Sequence, residues 1–341
     1  MNSGAQSPVK EPILSVRNIK VYFPIQTAGL FSGTIPLKAV DGVDFDLLAG
    51  ETLGVVGESG CGKSTLGRGI LQLLELSDGN VVWMGNNIGG LSFREMKKYR
   101  KQLQIIFQDP LASLNPRMTI GDIIAEPLTV HYPELSAEER TQQVKDMMDR
   151  VGLLPLMINR YPHEFSGGQC QRIGVARAMI LKPKLIVCDE PVSALDVSIQ
   201  AQIINLIKGL QEDFGLSLIF ISHDLSIVRH ISHRIMVLYL GNAVEVADRK
   251  RLYNNPCHPY TQALISAVPI PDPDLEKAKQ RIVLQGDLPS PLNPPSGCVF
   301  RTRCPLARDL CAREKPRLQQ IDPDHQVACH FWQEAQDQRI I

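Results

Sequence analysis

A glycine-rich segment in the first fifth of the chain has the residue types that bind phosphate. Residues 57–65 read Gly-Glu-Ser-Gly-Cys-Gly-Lys-Ser-Thr, which fits G-x-x-x-x-G-K-[ST] between an apolar run and a helical pattern. Glycines let backbone N–H groups turn inward around an anion, and the following helix adds its positive end. Lys63 is expected at the terminal phosphates and the Ser64 hydroxyl on Mg²⁺. The predicted phosphate-binding residues are Gly57, Glu58, Ser59, Gly60, Cys61, Gly62, Lys63, Ser64 and Thr65.

A second apolar run ends in two carboxylates. Residues 185–190 read Leu-Ile-Val-Cys-Asp-Glu. A buried strand holds Asp189 at its tip, where it can order Mg²⁺ through water, while Glu190 projects differently and can polarise an attacking water. An acidic pair after a strand is more often a solvated loop, so this interpretation depends on the phosphate-binding segment in the same chain.

An α/β sheet is predicted to position both segments. Apolar runs predict strands at residues 13–21, 43–47, 52–56, 81–84, 104–107, 185–188, 216–221 and 235–238. Helical patterns lie between them: Ser136 and Glu139 form a capping box before a helix to Val151, and residues 198–210 have one apolar face. This alternation predicts a mainly parallel, two-sided sheet, with residues 110–165 as an inserted helical lobe.

Composition excludes several classes of protein. The chain has 341 residues, which suggests two domains, and its 36 basic and 36 acidic residues cancel, which disfavours non-specific nucleic-acid binding. No window reaches the ~18 apolar residues of a membrane span, and the first thirty residues lack a secretory pattern. We therefore expect a cytosolic chain with reduced or metal-bound cysteines and a frayed segment at residues 1–11.

The chain changes character after Ala267. Eight prolines fall between Pro269 and Pro305, so residues 266–341 are predicted to form a separate, loop-rich extension. Its four cysteines follow C-x5-C-x6-C-x17-C; four such thiolates can hold one tetrahedral metal or one iron–sulfur cube, or remain reduced thiols without a metal. The four are Cys298, Cys304, Cys311 and Cys329. Cys170, Cys188 and Cys257 are interpreted as packed thiols.

Residues 165–169, Phe-Ser-Gly-Gly-Gln, resemble the L-S-G-G-Q signature of the ATP-binding subunits of ABC transporters, with Phe165 in place of leucine. Gln171-Arg172 and Ala176-Arg177-Ala178 also agree with that family. The resemblance covers about residues 12–265. It implies an ABC-type P-loop NTPase fold, with a RecA-like core, an antiparallel β subdomain and an inserted helical subdomain.

The same resemblance assigns roles to residues that are weak signals alone. Gln108 matches the Q-loop glutamine, which also reaches Mg²⁺, and His223 matches the switch histidine. Tyr22 matches the aromatic that stacks on adenine, although it lies 35 residues before Gly57, a gap explained by an insertion at residues 26–38. The implied catalytic residues are Glu190, His223, Gln108 and Lys63. The implied further ATP contacts are Ser166, Gly167, Gly168, Gln169 and, in the D-loop Ser-Ala-Leu-Asp, Asp196.

By resemblance, two such domains sandwich ATP head to tail. A chain with one phosphate-binding segment and one signature then needs a second, homologous ATPase subunit. The transport path belongs to two integral membrane permease subunits, served indirectly by a substrate-binding protein. The implied location is peripheral, on the cytoplasmic face of the bacterial inner membrane.

Residues 255–335 resemble the C-terminal extension of the ATPases of oligopeptide and dipeptide importers, a group that includes nickel importers. This implies an ATP- and Mg²⁺-dependent peptide importer subunit, with a division into 12–265 and 266–341. Some members of the group carry a [4Fe–4S] cluster at these cysteines, and zinc or no metal are the alternatives. Nickel or another small solute is the rival cargo.

Two other classes fit the sequence less well. A soluble ABC ATPase acting on nucleic acid or ribosomes lacks support, because only 126 positions separate Lys63 from Asp189, with no long coiled coil, second ATPase domain or basic patch. A metal-sensing regulator leaves the phosphate machinery unexplained.

Overall fold

Two β-sheets carry the fold. The computed structural model describes residues 11–26, 33–269, 272–279 and 281–337. The strands are β1 (Pro12–Gln26), β2 (Thr34–Leu48), β3 (Thr52–Val56), β4 (Asp78–Trp83), β5 (Asn86–Asn87), β6 (Leu103–Ile106), β7 (Leu185–Asp189), β8 (Ser217–Ile221), β9 (Arg234–Tyr239), β10 (Asn242–Asp248), β11 (Gln319–Asp322) and β12 (His325–Val327).

Helices cover the sheets and form a separate lobe. They are α1 (Lys63–Ile70), α2 (Phe93–Arg100), α3 (Ile120–His131), α4 (Ala137–Arg150), α5 (Gly167–Met179), α6 (Val197–Phe214), α7 (Leu225–Ile231), α8 (Arg249–Asn254), α9 (Pro259–Ser266), α10 (Pro273–Ala278), α11 (Asp309–Arg313) and α12 (Trp332–Asp337). Within the described ranges, no helix combines the length and apolarity needed to cross a bilayer.

The larger sheet has the strand order β11-β12-β10-β9-β3-β8-β7-β6. Strands β9, β3, β8, β7 and β6 run parallel, whereas β10 is antiparallel to β9. Every residue of β3, β7 and β8 is buried, as expected for strands covered on both faces. The predicted parallel α/β sheet is confirmed. Because parallel strands share one carboxyl edge, the segments after β3, β6, β7 and β8 meet there.

The smaller sheet, β2-β1-β4-β5, is antiparallel and packs over α1. Trp83 and the α1 residues Leu66 and Ile70 share its core. The predicted insertion at residues 26–38 falls partly outside the described residues. On either side of that gap the chain is paired strand, with Gln26 opposite Thr34.

The helical lobe consists of α3 and α4 packed on α5. The Ser136 hydroxyl accepts a hydrogen bond from the Glu139 N–H, and the Glu139 carboxylate accepts one from the Ser136 N–H, so the predicted capping box is present. Residues 110–165 contain helices and turns and no strand. The expectation of an inserted helical lobe is thus confirmed, whereas the frayed segment predicted at residues 1–11 lies almost wholly outside the described residues.

The predicted extension packs directly against the main domain. Strand β12 pairs with β10, with Val327 opposite Glu245, so the β11–β12 hairpin continues the larger sheet. The Phe300 side chain is fully buried in the main core. The many prolines correctly indicate loops. They do not reveal β12, a three-residue strand that forms because the edge of β10 is free to pair with it.

Candidate functional site

The glycine-rich segment forms a tight loop from the end of β3 to the start of α1. Gly57 and Gly62 have φ values of 154° and 102°, in the region that favours glycine. A Cβ on Gly57 would lie 2.2 Å from the Leu238 carbonyl oxygen, and one on Gly62 would lie 2.0 Å from that of Ala39. The loop backbone is therefore held directly against its neighbours, which fixes the direction of its N–H groups.

Lys63 is held inside this loop. Its Nζ donates hydrogen bonds to the carbonyl oxygens of Gly57 (2.9 Å) and Glu58 (3.1 Å), and the side chain is only 4% exposed. It also lies 3.8 Å from a carboxylate oxygen of Glu190. The loop carbonyls thus fix the position of the Lys63 ammonium group, which the sequence predicts to contact the phosphates.

Asp189 ends β7 and is fully buried. The Ser64 hydroxyl donates a 2.5 Å hydrogen bond to its Oδ1, and Arg68, one turn later on α1, donates to its Oδ2 at 3.1 Å. A hydroxyl and a carboxylate are oxygen ligands of the kind that Mg²⁺ prefers. Arg68 was missed by sequence reasoning, although its spacing of four residues from Ser64 places both on one face of α1.

Glu190 is the residue on which the predicted catalytic side chains converge. Its carboxylate accepts a 3.2 Å hydrogen bond from the Gln108 amide and lies 3.3 Å from Nδ1 of His223. Its φ of +46° is unusual for a residue with a side chain. Such conformations are concentrated at active sites, and here the turn aims the carboxylate at Lys63 rather than along the strand.

Lys63, Ser64, Gln108 and Glu190 border a cavity of about 360 Å³. Its lining comprises Phe23, Leu37, Lys38, Ala39, Ser59, Gly60, Gly62, Lys63, Ser64, Thr65, Gln108, Glu190, Leu240, Gly241 and Pro291. Tyr22 does not line it: its hydroxyl donates to the Asp41 carboxylate. We therefore correct the assignment of Tyr22 as the stacking aromatic, because adjacent strand residues face opposite sides and Phe23 is the one on the cavity side.

The signature segment lies elsewhere on the chain. Ser166 caps α5, with its hydroxyl accepting from the Gln169 N–H, and Ser166 and Gly167 are exposed. A Cβ on Gly168 would lie 2.6 Å from Ile199 of α6, the helix that Asp196 caps. Among the described residues that line the cavity, neither residues 166–169 nor Asp196 is included. One chain alone therefore does not bring all of the predicted nucleotide contacts together.

The four tail cysteines share one small region. The Cys298 N–H donates to the Cys311 carbonyl at 2.7 Å. Burial raises the pKa of Cys329 to about 12 and that of Cys304 to about 11, and the neighbouring tail thiols reinforce both shifts. No three of the four sulfur atoms lie within 4.8 Å of one another. The fold thus gathers the thiols without bringing them into direct contact as a group.

The other cysteines are packed thiols. Cys61, Cys170 and Cys188 are buried, and burial raises the pKa of Cys61 to about 11. Such thiols are inert because the reactive thiolate is scarce.

A buried carboxylate that the sequence did not reveal anchors the extension. Glu245 of β10 accepts hydrogen bonds from the N–H groups of Cys257 (2.7 Å) and His258 (2.9 Å), and its Oε1 lies 2.7 Å from Nε2 of His325. Among the described residues, Glu245, Cys257 and His325 are the one group of potential metal ligands whose donor atoms all lie within 4.8 Å. Because both carboxylate oxygens are already bonded, the role that the geometry gives Glu245 is joining β10 to β12.

Comparison with known proteins gives two family matches. Residues 40–193 match the family described as ABC transporter, and residues 244–311 match the one described as oligopeptide/dipeptide transporter, C-terminal region. The first match contains the phosphate loop, Glu190 and the signature segment, and the second contains Cys298, Cys304 and Cys311.

Curated relatives match almost the whole chain. It is 60% identical to the oligopeptide transport ATP-binding protein OppF of Haemophilus influenzae, over 94% of this chain and 97% of that protein. It is also 60% identical to OppF of Escherichia coli, over 94% and 96%. The oligopeptide transport ATP-binding protein AppF of Bacillus subtilis is 54% identical, over 95% and 98%.

Among solved structures, the chain resembles a dimeric ATP-binding cassette, MJ0796, in a post-hydrolysis state bound to ADP and Pi. The TM-score is 0.62 at 28% identity, over 69% of this chain and 98% of that one. The likeness leaves about a third of this chain unmatched.

Proposed function

Because this chain belongs to the oligopeptide transport ATP-binding proteins, a branch of the ABC transporter ATPases, we propose that it hydrolyses ATP to drive the import of peptides. The observation that carries this is a convergence at the carboxyl edge of the parallel strands. Lys63, Gln108 and Glu190 line one cavity, and Asp189 and His223 contact its lining residues Ser64 and Glu190. We propose peptides as the transported substrate because the chain is 60% identical to proteins named for oligopeptide transport.

Each residue in or next to the cavity has a proposed role in phosphoryl transfer. Lys63 and the loop N–H groups neutralise charge on the β- and γ-phosphates. Ser64 and Asp189, together with Gln108, would hold Mg²⁺, which would supply positive charge to the phosphate oxygens. Glu190 orients the attacking water and accepts its proton, and His223, at hydrogen-bonding distance from Glu190, fixes the orientation of that carboxylate.

Phe23 is the proposed adenine platform. We expect Phe23→Leu to weaken ATP binding by about tenfold, because base–aromatic stacking contributes about 1–3 kcal/mol and leucine keeps only the apolar packing. Tyr22→Leu is the matched control, since it removes the neighbouring ring, and it should leave affinity unchanged. Titration with a ribose-labelled fluorescent ATP analogue measures both. A larger loss of ATP affinity in Tyr22→Leu than in Phe23→Leu would show that Tyr22 is the aromatic that stacks on adenine.

The second half of the nucleotide site comes from another subunit. Ser166 to Gln169 start a capped helix whose first residues are exposed and lie outside this chain's own cavity. The similar cassette is a dimer bound to ADP and Pi, which supports a head-to-tail pair in which these residues close the partner's site. Asp196, beside them, would lie at the same contact.

The remaining partners follow from the family. We propose two integral membrane permease subunits, an indirect contribution from a substrate-binding protein, and a peripheral position on the cytoplasmic face of the inner membrane. The helical lobe and the segment around Gln108 would carry the contact with the permeases, because they couple the surface to the hydrolytic centre.

We propose that the tail cysteines hold an iron–sulfur cluster rather than zinc. The thiolates around one tetrahedral zinc lie about 3.8 Å apart, as Zn–S bonds of about 2.3 Å require. Here no three of the four sulfur atoms fall within 4.8 Å of one another, yet Cys298 and Cys311 lie close enough to help raise the pKa values of Cys304 and Cys329. A larger group such as a [4Fe–4S] cube, which four cysteine thiolates can hold, does not require the thiolates to lie in mutual contact. Since ATP hydrolysis needs no electrons, its role would be structural.

We expect the anaerobically purified full chain to be coloured, with about four iron and four sulfide per chain. Cys304→Ser should lose most of both, because three thiolates hold a cube poorly, whereas Cys170→Ala, a buried cysteine outside the tail, should keep them. Absorbance with iron and sulfide analysis measures this. Stoichiometric zinc, or colourless metal-free protein, would contradict the cluster.

The function itself is tested by transport. The complex that co-purifies with this chain in mild detergent is reconstituted into vesicles, with the binding protein added, and labelled peptide uptake is compared with ⁶³Ni²⁺ uptake. ATP-dependent accumulation of peptide is expected. ATP-dependent nickel uptake without peptide uptake, or recovery of the chain with ribosomes instead of membrane subunits, would overturn the proposal.

A further inference from the structure

The cysteine-bearing extension touches the phosphate loop at Glu58. Arg303 Nη1 donates hydrogen bonds to both carboxylate oxygens of Glu58, at 3.1 and 2.9 Å. The backbone N–H of Glu58 donates to the Tyr260 hydroxyl at 2.9 Å. Both the side chain and the main chain of one loop residue are therefore held by groups that lie more than 200 positions later in the chain.

Glu58 in turn holds the phosphate-binding lysine. Its carbonyl oxygen, with that of Gly57, accepts the hydrogen bonds that place the Lys63 ammonium. A displacement of Glu58 therefore displaces the carbonyl that positions Lys63. The path from Arg303 to the Lys63 ammonium therefore consists of two direct contacts, through Glu58.

Arg303 is held rigidly enough to act as a support. Its side chain is 11% exposed and lies beside the Tyr239 hydroxyl. Its N–H donates to the carbonyl of Phe300, a fully buried ring in edge contact with Tyr239 and packed against Tyr260. The turn that carries Arg303 is thus fastened to the aromatic core beneath the phosphate loop.

We propose that Arg303 is a positioning residue for ATP binding, holding Glu58 so that Lys63 faces the terminal phosphates. The inference rests on the proposed function, since it concerns the same nucleotide site. It gives the extension a direct part in nucleotide affinity, in addition to any group that its cysteines bind. The turn begins at Cys298 and ends at Cys304, so it couples the cysteine region to the loop.

The test measures KM and kcat for ATP in the purified, assembled complex. Arg303→Gln should raise KM roughly three- to tenfold, the range for one partly buried charge-assisted contact, and leave kcat within about twofold because Glu190 keeps its partners. Arg303→Lys, which retains the charge, should recover part of the loss. Arg308→Gln is the matched control: Arg308 pairs with Glu334 inside the extension and should leave KM unchanged.

A double-substitution cycle separates positioning from general destabilisation. Glu58→Gln should raise KM as Arg303→Gln does, and the double variant should be no worse than either single one, because both remove the same contact. Thermal melting without nucleotide checks that each variant is folded. An unchanged KM in folded Arg303→Gln, an equal rise in Arg308→Gln, or effects that multiply in the double variant would each overturn the inference. Failure of the unsubstituted complex to bind ATP would instead overturn the proposed function.

Discussion

Replacing Glu190 by glutamine is expected to lower steady-state ATP hydrolysis by about two to three orders of magnitude, because general-base catalysis contributes about 10²–10⁴-fold. Glutamine has nearly the same shape and still accepts the Gln108 hydrogen bond, but it cannot accept a proton from water. ATP binding should persist, since Lys63 and the loop are untouched. The measurements are phosphate release and nucleotide affinity on the same preparation.

Glu212→Gln is the control for this substitution. Glu212 is an exposed carboxylate on α6, far along the helix from Asp196, and its removal should leave turnover unchanged. Glu190→Gln with near-normal phosphate release would remove the catalytic assignment. A variant that no longer binds ATP would instead make Glu190 a binding residue.

Lys63→Met should weaken ATP binding by roughly 10- to 100-fold, because hydrogen bonds to charged groups contribute about 1.5–3 kcal/mol each. Methionine fills a similar buried volume, but it leaves the negative phosphates without the ammonium and leaves Glu190 without its cation at 3.8 Å. Fluorescence titration with labelled ATP and with labelled ADP measures the loss.

Lys97→Met, on the exposed face of α2, serves as the control and should bind ATP normally. The melting temperature of Lys63→Met without nucleotide should stay close to that of the unsubstituted chain. Undiminished ATP affinity in Lys63→Met would show that the ammonium does not reach the phosphates.

The sequence predicts the strands and loops of the active centre because their signals are local. Buried parallel strands are continuous apolar runs, and every strand predicted between residues 13 and 238 is present, although β2 begins at Thr34 and not at residue 43. The loop glycines indicate positions where the backbone leaves no room for a side chain. At Gly62, an added Cβ would lie 2.0 Å from the carbonyl oxygen of Ala39.

What the sequence leaves undetermined depends on tertiary contacts. Tyr22 and Phe23 are adjacent aromatics, and only the pleat of β1 decides which of them faces the cavity. Arg68 matters because the fold brings Asp189 against α1. Arg303 matters because it contacts Glu58, although the two residues are 245 positions apart in the chain. Proline counts likewise gave no sign that β12 would extend the sheet.

The central claim is that each ATP lies between the phosphate loop of one ATPase subunit and residues 166–169 of the other. With MgADP, orthovanadate occupies the position of the γ-phosphate, and ultraviolet light then cleaves the backbone that it touches. Mass spectrometry of the assembled complex should find this chain cut at two places, within residues 57–65 and next to Ser166, whether its partner is identical or a homologue. Cleavage in the loop alone, with Ser166 intact, would contradict the account.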